Sequence, residues 1–268
     1  MKTRITPDNP HGYNRYGFAW ENVPEGGQAH LDFGCSDGAF LATLKSKGIG
    51  RLVGVDISQD AVRKARKQFP DMEVIHIRQT VPLPFEDGLF TSITILDVIE
   101  HVAQQGILLN ELNRVLKDDG TLVVTVPGQH IFSFLDTGNL KFRFPRLHRW
   151  YYCRRHSEAQ YEYRYVSNPD GLVGDISEGK RWHEHFTRAK LEKLLNKSGF
   201  EVVAFDGAGF FNRIVRDIRF LCGWLRPLQP VFGRIQALDA KFFKSSNLFC
   251  VARKQVHPKA EPDCESKI

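Results

Sequence analysis

The sequence predicts an α/β protein built on a doubly wound sheet. Between residues 30 and 127, short apolar runs alternate with amphipathic stretches five times at short spacing. The runs are rich in β-branched residues, and the fourth, over residues 90–98, consists almost entirely of apolar or β-branched residues. Such a run is typical of a strand that is buried on both faces of a parallel sheet. Ligands of such sheets bind at the carboxyl ends of the strands.

The first strand is followed at once by a glycine turn. The apolar run from His30 ends in Gly34 and Gly38, and an amphipathic stretch begins directly after them. Glycine lets the backbone approach a ligand closely, and the helix that follows points its free amides at the turn. Asp56 closes the second strand. Because an acid at that place accepts hydrogen bonds from a ribose diol, turn and acid together predict a site for a nucleoside-bearing cofactor.

Two alternatives remain for this turn. Residues 34–38 also fit G-x-S-x-G, the nucleophile elbow of α/β-hydrolases, in which Ser36 would be the nucleophile. That elbow follows several strands, whereas about thirty residues precede it here, so the cofactor turn is favoured. The third interpretation is a purely structural turn. The NAD fingerprint G-x-G-x-x-G is absent because its middle glycine is replaced by Ser36.

The remaining elements follow from periodicity and capping residues. Ser58 and Thr187 are predicted N-caps of two helices. The predicted helices cover 59–69, 103–117 and 188–198, and the predicted strands cover 51–57, 72–77, 90–98, 121–126, 201–206 and 247–253.

Composition limits the remaining possibilities. The chain has 268 residues, of which 42% are hydrophobic, so residues 1–254 can form a single domain. Its five cysteines include no C-x-x-C pair, which argues against a disulfide framework and a zinc site. No metal ligand is assigned, and a divalent cation held by Glu100, His101 and the segment His183–His185 is the less favoured alternative. No apolar signal segment follows Met1, and no run is long enough to span a membrane. A cytoplasmic location is therefore expected.

Four motifs, in order and at matching spacing, resemble those of the class I S-adenosylmethionine-dependent methyltransferases, a group that includes small-molecule, lipid and sugar methyltransferases. They are Leu31–Gly38, Gly54–Asp56, Leu83–Asp87 and Asp97–Val102, the last followed by Leu112–Lys117. The resemblance covers about residues 30–127 and resumes from His185 to Phe200. It implies S-adenosylmethionine as cofactor and a seven-stranded sheet, mostly parallel, whose last strand is antiparallel.

The resemblance also implies roles for particular residues. The positions that match the cofactor site are Asp32, Gly34, Cys35, Ser36, Gly38, Asp56, Ile57, Gln79, Thr80 and Asp97. The sequence departs from the family pattern twice. Ser36 replaces the usual second glycine, and Gln79 stands where an acid often bonds the adenine amino group. A cofactor-binding relative without catalytic activity is therefore an alternative.

Two long insertions are expected to select the acceptor. Residues 128–184, after the fifth strand, form a predicted cap rich in arginine and aromatic side chains, because such groups bind anions and stack on rings. The candidate acceptor-binding residues are Arg143, Arg149, Tyr151 and Arg155. Residues 208–246 form a predicted helical insertion between strands six and seven. Its basic amphipathic stretch 211–225 either packs on the domain or contacts the inner face of a membrane. Residues 255–268 are predicted to be a disordered tail.

The resemblance and the two insertions together predict a methyltransferase that modifies an oxygen of a glycan, a lipid-linked intermediate or another small metabolite, including an anionic one. Nucleic acid is disfavoured because a net charge of +6 is too mild to indicate such a partner. Removal of the acceptor proton near neutral pH suits histidine. The candidate bases, in order of preference, are His101, His185 and His183.

Overall fold

The computed structural model describes residues 15–129, 144–167, 184–208 and 247–255, together with 231, 234, 235 and 238. Its centre is a seven-stranded sheet of order β3-β2-β1-β4-β5-β7-β6. The strands are β1 Ala29–Phe33, β2 Arg51–Asp56, β3 Glu73–His76, β4 Phe90–Leu96, β5 Leu116–Pro127, β6 Phe200–Ala208 and β7 Asn247–Lys254. Strands β1 to β5 run parallel, and β7 is antiparallel to both β5 and β6. The predicted fold class is therefore confirmed.

The helices are α1 Arg15–Asn22, α2 Ala39–Thr43, α3 Gln59–Gln68, α4 Gln105–Val115, α5 Pro145–Cys153, α6 Glu158–Tyr161 and α7 Arg188–Lys197. Both predicted N-caps are confirmed. Ser58 Oγ accepts a hydrogen bond from the Ala61 amide at 3.3 Å, and Thr187 Oγ1 accepts one from the Lys190 amide at 3.2 Å. These caps satisfy amides that have no partner within the helix. In the part of the chain that the structure describes, no helix is long and apolar enough to cross a bilayer.

Strand order reverses between β1 and β4, which are neighbours in the sheet. Connections on the two sides of this point lead away from each other, so a crevice opens between the carboxyl ends of β1 and β4. The glycine turn follows β1, and residues 97–102 follow β4. The sheet topology therefore brings two of the four sequence motifs to one crevice.

The boundary between α4 and β5 differs from the prediction. The helix ends at Val115, and the strand begins at Leu116 instead of Thr121. Leu116 pairs with Phe90 at the start of β4, before an irregularity in register, and its carbonyl accepts a hydrogen bond from Lys254 Nζ at 2.8 Å. Pairing with β4 resumes at Thr121, opposite Ser92, so the polar residues 117–120 form an irregularity within the strand, where the prediction had placed the end of the helix.

Helix α1 packs on one face of the sheet. Phe18 and Ala19 are buried, and the Phe18 ring lies 5.3 Å from the ring of Phe249 on β7. This face also buries Phe40, Leu41 and other apolar side chains of the α2 and α3 units. The opposite face is covered by a second apolar cluster that includes α4 and α7. Part of the N-terminal segment is thus a core element.

The loop between β3 and β4 is held by one arginine on α4. The guanidinium of Arg114 donates hydrogen bonds to the carbonyls of Leu83 and Phe85 at 3.2 and 2.9 Å, and to Asp87 at 2.6 Å. Its Nη2 also donates to Glu111 Oε1 at 2.7 Å, and Glu111 in turn accepts the amide of Leu83 at 2.6 Å. Two motifs that are separate in the sequence, residues 83–87 and 112–117, are therefore one bonded unit.

Replacement of Arg114 by alanine is expected to lower the free energy of unfolding by about 2–4 kcal/mol, because several charge-assisted hydrogen bonds are lost together. Denaturant unfolding followed by circular dichroism measures the change. Asp87→Ala is the matched control, since the Asp87 side chain is 80% exposed and its ion pair should contribute little. Equal losses in both variants would contradict an anchoring role for Arg114.

The described part of the cap insertion has its own aromatic core. The Tyr161 hydroxyl and Nδ1 of His148 lie 3.2 Å apart, and the ring of Tyr165 meets that of His148 edge-on at 4.7 Å. Arg149, Tyr151 and Arg155 are exposed. Arg143, His183, the stretch 211–225, most of the insertion 208–246 and all but the first residue of the tail 255–268 lie outside the described residues. The predicted domain limits stay predictions.

Candidate active site

The glycine turn after β1 contains three left-handed backbone positions. The φ angles of Gly34, Ser36 and Gly38 are +81°, +50° and +75°. A side chain at Gly34 could not fit, because its Cβ would lie 2.5 Å from Cγ2 of Val98. Ser36 adopts a conformation that costs a non-glycine residue free energy, and its amide donates to Asp56 Oδ2 at 2.8 Å. This hydrogen bond helps to hold the turn in place of the missing glycine.

Asp56, at the end of β2, is buried and connects three elements. Its Oδ2 accepts the amide of Ser36, and its Oδ1 accepts the amide of Ser58, at the start of α3, also at 2.8 Å. The two oxygens of a carboxylate together offer about four acceptor sites, so bonds to backbone amides and to a diol are compatible at one aspartate. Asp56 therefore fits the ribose role that the sequence predicts for it, and it also shapes the turn.

Asp32, the last polar residue of β1, is 3% exposed and accepts a hydrogen bond from Thr94 Oγ1 at 2.7 Å. Burial raises the pKa of this carboxyl to about 7, with a further increase from the charge of Asp56, while the bond from Thr94 lowers it. Asp32 therefore changes its charge close to neutral pH.

Cofactor affinity is consequently expected to decrease as pH falls through about 7, because protonation removes a negative charge beside a cationic ligand. We expect S-adenosylmethionine to bind about 3- to 10-fold more weakly at pH 6 than at pH 8. Titration calorimetry at the two pH values measures this ratio. An Asp32→Asn variant should bind weakly with little pH dependence between these values, whereas an unchanged slope in that variant would assign the effect to another group.

The other cofactor residues occupy the same edge of the sheet. Ile57 follows Asp56 and is 40% exposed, and its carbonyl accepts a hydrogen bond from His76 Nε2 at 3.0 Å. Its apolar side chain is therefore available to an adenine ring. Gln79 is exposed and Thr80 is half-buried in the loop after β3, whereas Cys35 is buried beneath the turn. Burial raises the pKa of the Cys35 thiol, which keeps it uncharged.

Asp97, after β4, is paired with a residue that sequence reasoning missed. Its Oδ1 accepts a hydrogen bond from Thr125 Oγ1 at 2.7 Å, and its Oδ2 forms an ion pair with Arg15 of α1. Arg15 also donates to the Tyr16 hydroxyl at 2.8 Å. Burial lowers the pKa of Arg15, but the charge of Asp97, the interaction with Tyr16 and the hydrogen bonds to both residues together outweigh it, and the net shift of the pKa is upward. No sequence pattern pointed to Arg15, because the pair is separated by 82 residues.

His101 lies in a short 3-10 turn, Ile99–His101, directly after Asp97 and Val98. Its Nε2 is 3.9 Å from Oε1 of Glu100. Glu100 is 3% exposed, and burial together with the charge of Asp97 raises its pKa well above the usual range. The turn thus holds a histidine beside a buried carboxyl at the crevice between β1 and β4. The adjacency of Glu100 and His101 was the available sequence signal.

His185 lies in an extended segment bound to the carboxyl end of β5. The Phe186 amide donates to the Pro127 carbonyl at 2.9 Å, and the Gln129 amide donates to the Phe186 carbonyl at 2.8 Å. Gln105 joins this segment to the His101 turn, because its side-chain amide donates to Glu184 at 2.6 Å and to the Ile99 carbonyl at 3.1 Å. The structure therefore connects the segments of two predicted bases.

The predicted acceptor residues are only partly brought together. A shallow cavity of about 440 Å³ on the cap is lined by Arg146, Arg149, Trp150, Cys153, Arg154 and Glu158. Arg149 is thus the described acceptor candidate that lines it, and its Nε lies 3.2 Å from Glu158. Among the described residues, no group of histidine, cysteine or acidic side chains has an arrangement that would hold a metal ion.

Comparison with known proteins finds a family model that matches part of the chain. Residues 31–124 match the methyltransferase domain family. A demethylmenaquinone methyltransferase of Staphylococcus saprophyticus is 28% identical over 190 residues, which are 68% of this chain and 73% of that protein. A probable S-adenosylmethionine-dependent methyltransferase of Mycobacterium tuberculosis is 31% identical over 38% of this chain and 37% of its own length. The match therefore spans little more than a third of this second relative.

Solved structures agree on the fold. An S-adenosylmethionine-dependent methyltransferase from Mesorhizobium loti superposes with a TM-score of 0.55 at 16% identity, over 90% of this chain and 99% of that one. The [4+2]-cyclase SpnF superposes with a TM-score of 0.54 at 17% identity, over 90% of this chain and 81% of that one. The matched family is a methyltransferase domain, which leaves the hydrolase interpretation of Ser36 without support. Residues 31–124 of the chain therefore form a methyltransferase domain, and the sheet around them has the fold of solved S-adenosylmethionine-dependent methyltransferases.

Proposed function

We propose that this protein transfers a methyl group from S-adenosylmethionine to an oxygen atom of a small acceptor, namely a glycan, a lipid-linked intermediate or another small metabolite. The observation that supports it most strongly is the placement of a histidine and a buried carboxyl at the carboxyl end of β4, beside the turn that fits the cofactor. In such an arrangement a base can reach an acceptor that lies over the crevice.

S-adenosylmethionine, when bound, supplies an electrophilic methyl group. The residues of the chain must then bind the cofactor, orient the acceptor and remove its proton. Asp56 fits the ribose end of the cofactor, whereas Asp32 and the glycine turn fit the methionine end, where Asp32 provides negative charge. His101 accepts the acceptor proton. The Glu100 carboxyl lies 3.9 Å from His101 Nε2 and, in its ionised form, stabilises the imidazolium that this step creates.

The acceptor class is supported by the relatives and by the cap. A relative whose name gives demethylmenaquinone as its substrate covers 68% of this chain, which supports a small organic acceptor. The exposed Arg149, Tyr151 and Arg155 of the cap favour an anionic or ring-containing one. Peripheral contact with the inner membrane face through residues 211–225, and a cytoplasmic site of action, remain part of the proposal.

A cofactor-binding relative without methyl transfer is the second candidate. Ser36 in place of a glycine and Gln79 in place of an acid favour it, and a cyclase with this fold illustrates that the fold alone does not define the reaction. Two measurements separate the candidates. Calorimetry with S-adenosylhomocysteine tests the cofactor site.

Transfer of tritiated methyl to a panel containing a quinol, a glycoside and a polyprenyl-linked sugar tests catalysis. Binding without transfer to any acceptor on a wider panel would favour the second candidate, and no binding would contradict both.

A further inference from the structure

A strip of buried polar side chains crosses the centre of the sheet. Parallel pairing of β1 with β4 aligns His30 with Ser92 and Asp32 with Thr94. These residues alternate with apolar ones, so all four project from the same face, and none is more than 3% exposed. Burying four polar side chains in a sheet is costly unless they bond to one another. We therefore asked which hydrogen bonds these four side chains make to one another.

The four side chains form a continuous chain of hydrogen bonds. Ser92 Oγ lies 2.8 Å from His30 Nδ1, and His30 Nε2 lies 3.1 Å from Thr94 Oγ1. Thr94 Oγ1 in turn lies 2.7 Å from Asp32 Oδ1. The chain begins inside the sheet at Ser92 and ends on Asp32, two residues before the first glycine of the cofactor turn.

The position of each proton in this series of hydrogen bonds follows from the acceptor at its end, the Asp32 carboxylate. An ionised carboxylate can only accept, so the Thr94 hydroxyl donates its single proton to Asp32. The Thr94 oxygen must then accept from His30, which places a proton on Nε2. A neutral imidazole has one such proton, so Nδ1 is bare and accepts from the Ser92 hydroxyl. All three bonds therefore point in one direction, toward the carboxylate.

We propose that His30 is a positioning residue of the cofactor site, which acts through Thr94 to keep Asp32 ionised and fixed beside the glycine turn. The inference rests on the cofactor use proposed above. Aligned hydrogen bonds polarise one another, so a donor chain that ends on an anion stabilises that anion more than an isolated hydroxyl does. If Asp32 took up a proton and donated it to Thr94, the chain and the histidine tautomer would reverse.

The surroundings of Asp32 explain why such support is needed. Its interacting ionisable neighbours are Asp56 at the end of β2, whose negative charge opposes ionisation, and the Cys35 thiol of the turn. Burial opposes ionisation further. Burial also lowers the pKa of His30 to about 3, so the ring is neutral near physiological pH and can hold one tautomer.

The first test reads the tautomer of His30 in the free protein by ¹⁵N NMR of the imidazole nitrogens at pH 8.5. We expect a protonated Nε2 and a bare Nδ1. A protonated Nδ1 at this pH would overturn the proposal. This readout needs neither cofactor nor acceptor, so it stands apart from the proposed function, whose failure would appear as absent S-adenosylhomocysteine binding in the unaltered protein.

The second test removes single hydrogen bonds from the series that joins Ser92, His30, Thr94 and Asp32. Thr94→Val keeps the side-chain shape and removes the link to Asp32, whereas Ser92→Ala removes only the far end. Carboxyl ¹³C titration should show the Asp32 midpoint rising by about 1 pH unit in Thr94→Val and by less than half of that in Ser92→Ala. His30→Leu should lie between them, and His30→Gln, whose amide both donates and accepts, should restore the midpoint.

Binding then separates positioning from simple packing. We expect Thr94→Val to bind S-adenosylhomocysteine about 3- to 10-fold more weakly at pH 7 and nearly normally at pH 9, where Asp32 is ionised in either protein. A packing defect would persist at both pH values. An unshifted Asp32 midpoint in Thr94→Val, or a binding loss that is the same at pH 7 and pH 9, would overturn the proposal.

Discussion

Replacing His101 with glutamine is expected to slow methyl transfer by about 10²–10⁴-fold while cofactor binding stays intact, because a general base contributes by that factor to a proton-transfer step. Glutamine keeps most of the side-chain size but cannot take up the proton. The rate is measured by transfer of labelled methyl to an identified acceptor, and cofactor affinity by calorimetry.

Matched variants distinguish which of the predicted histidines is the general base. His185→Gln should reduce the rate of methyl transfer less than His101→Gln does, since His101 lies beside the buried carboxyl of Glu100. Glu100→Gln should reduce the rate less than the loss of His101 and shift the pH profile, because the partner of the imidazolium is removed. His156→Gln, in the exposed part of the cap, is the control. Near-normal turnover in His101→Gln, His183→Gln and His185→Gln would rule out a histidine base.

Replacing Asp56 with alanine is expected to weaken cofactor binding by about 2–4 kcal/mol, because two charge-assisted hydrogen bonds to the ribose diol are lost. The structure adds a second cause. Asp56 accepts the amides of Ser36 and Ser58, so its loss also releases the glycine turn. Calorimetry with S-adenosylhomocysteine measures the total effect.

A double comparison separates the two causes. Asp56→Asn can still accept one backbone amide, and a 2′-deoxy analogue of S-adenosylhomocysteine lacks one ribose hydroxyl. The unaltered protein should bind the natural ligand better than the analogue, and Asp56→Asn should show much less preference between them. If both proteins discriminate equally, Asp56 shapes the turn without touching the diol.

Short-range pattern accounts for much of the agreement between sequence and structure. The helix over Gln59–Gln68 follows from Ser58 as N-cap and an apolar stripe, both of which are local properties. The glycine turn is similarly local, since Gly34 and Gly38 adopt left-handed conformations that glycine tolerates best. The seven-stranded sheet with an antiparallel last strand followed from the resemblance to a family, whereas the order of the strands came from the structure, because no local pattern contains it.

Partners from distant parts of the chain were not predictable. Nothing near Arg15 indicates that it pairs with Asp97, and nothing near residues 83–87 indicates that Arg114 binds their carbonyls. The polar residues His30 and Asp32 alternate with apolar ones, as do Ser92 and Thr94, so the pattern was visible in each strand. Only the register of β1 against β4 joins the two halves into one hydrogen-bonded chain.

The sequence by itself therefore determined the alternation of strands and helices, the glycine turn, the acid that closes β2 and the capped helix starts, because each depends on residues within a few positions of one another. The tertiary structure alone decided that Arg15 neutralises Asp97, that Glu100 is buried beside His101 and that Asp32 receives its hydrogen bond through Thr94. The charges of those groups depend on burial and on neighbours brought together by folding, and neither is a property of local sequence.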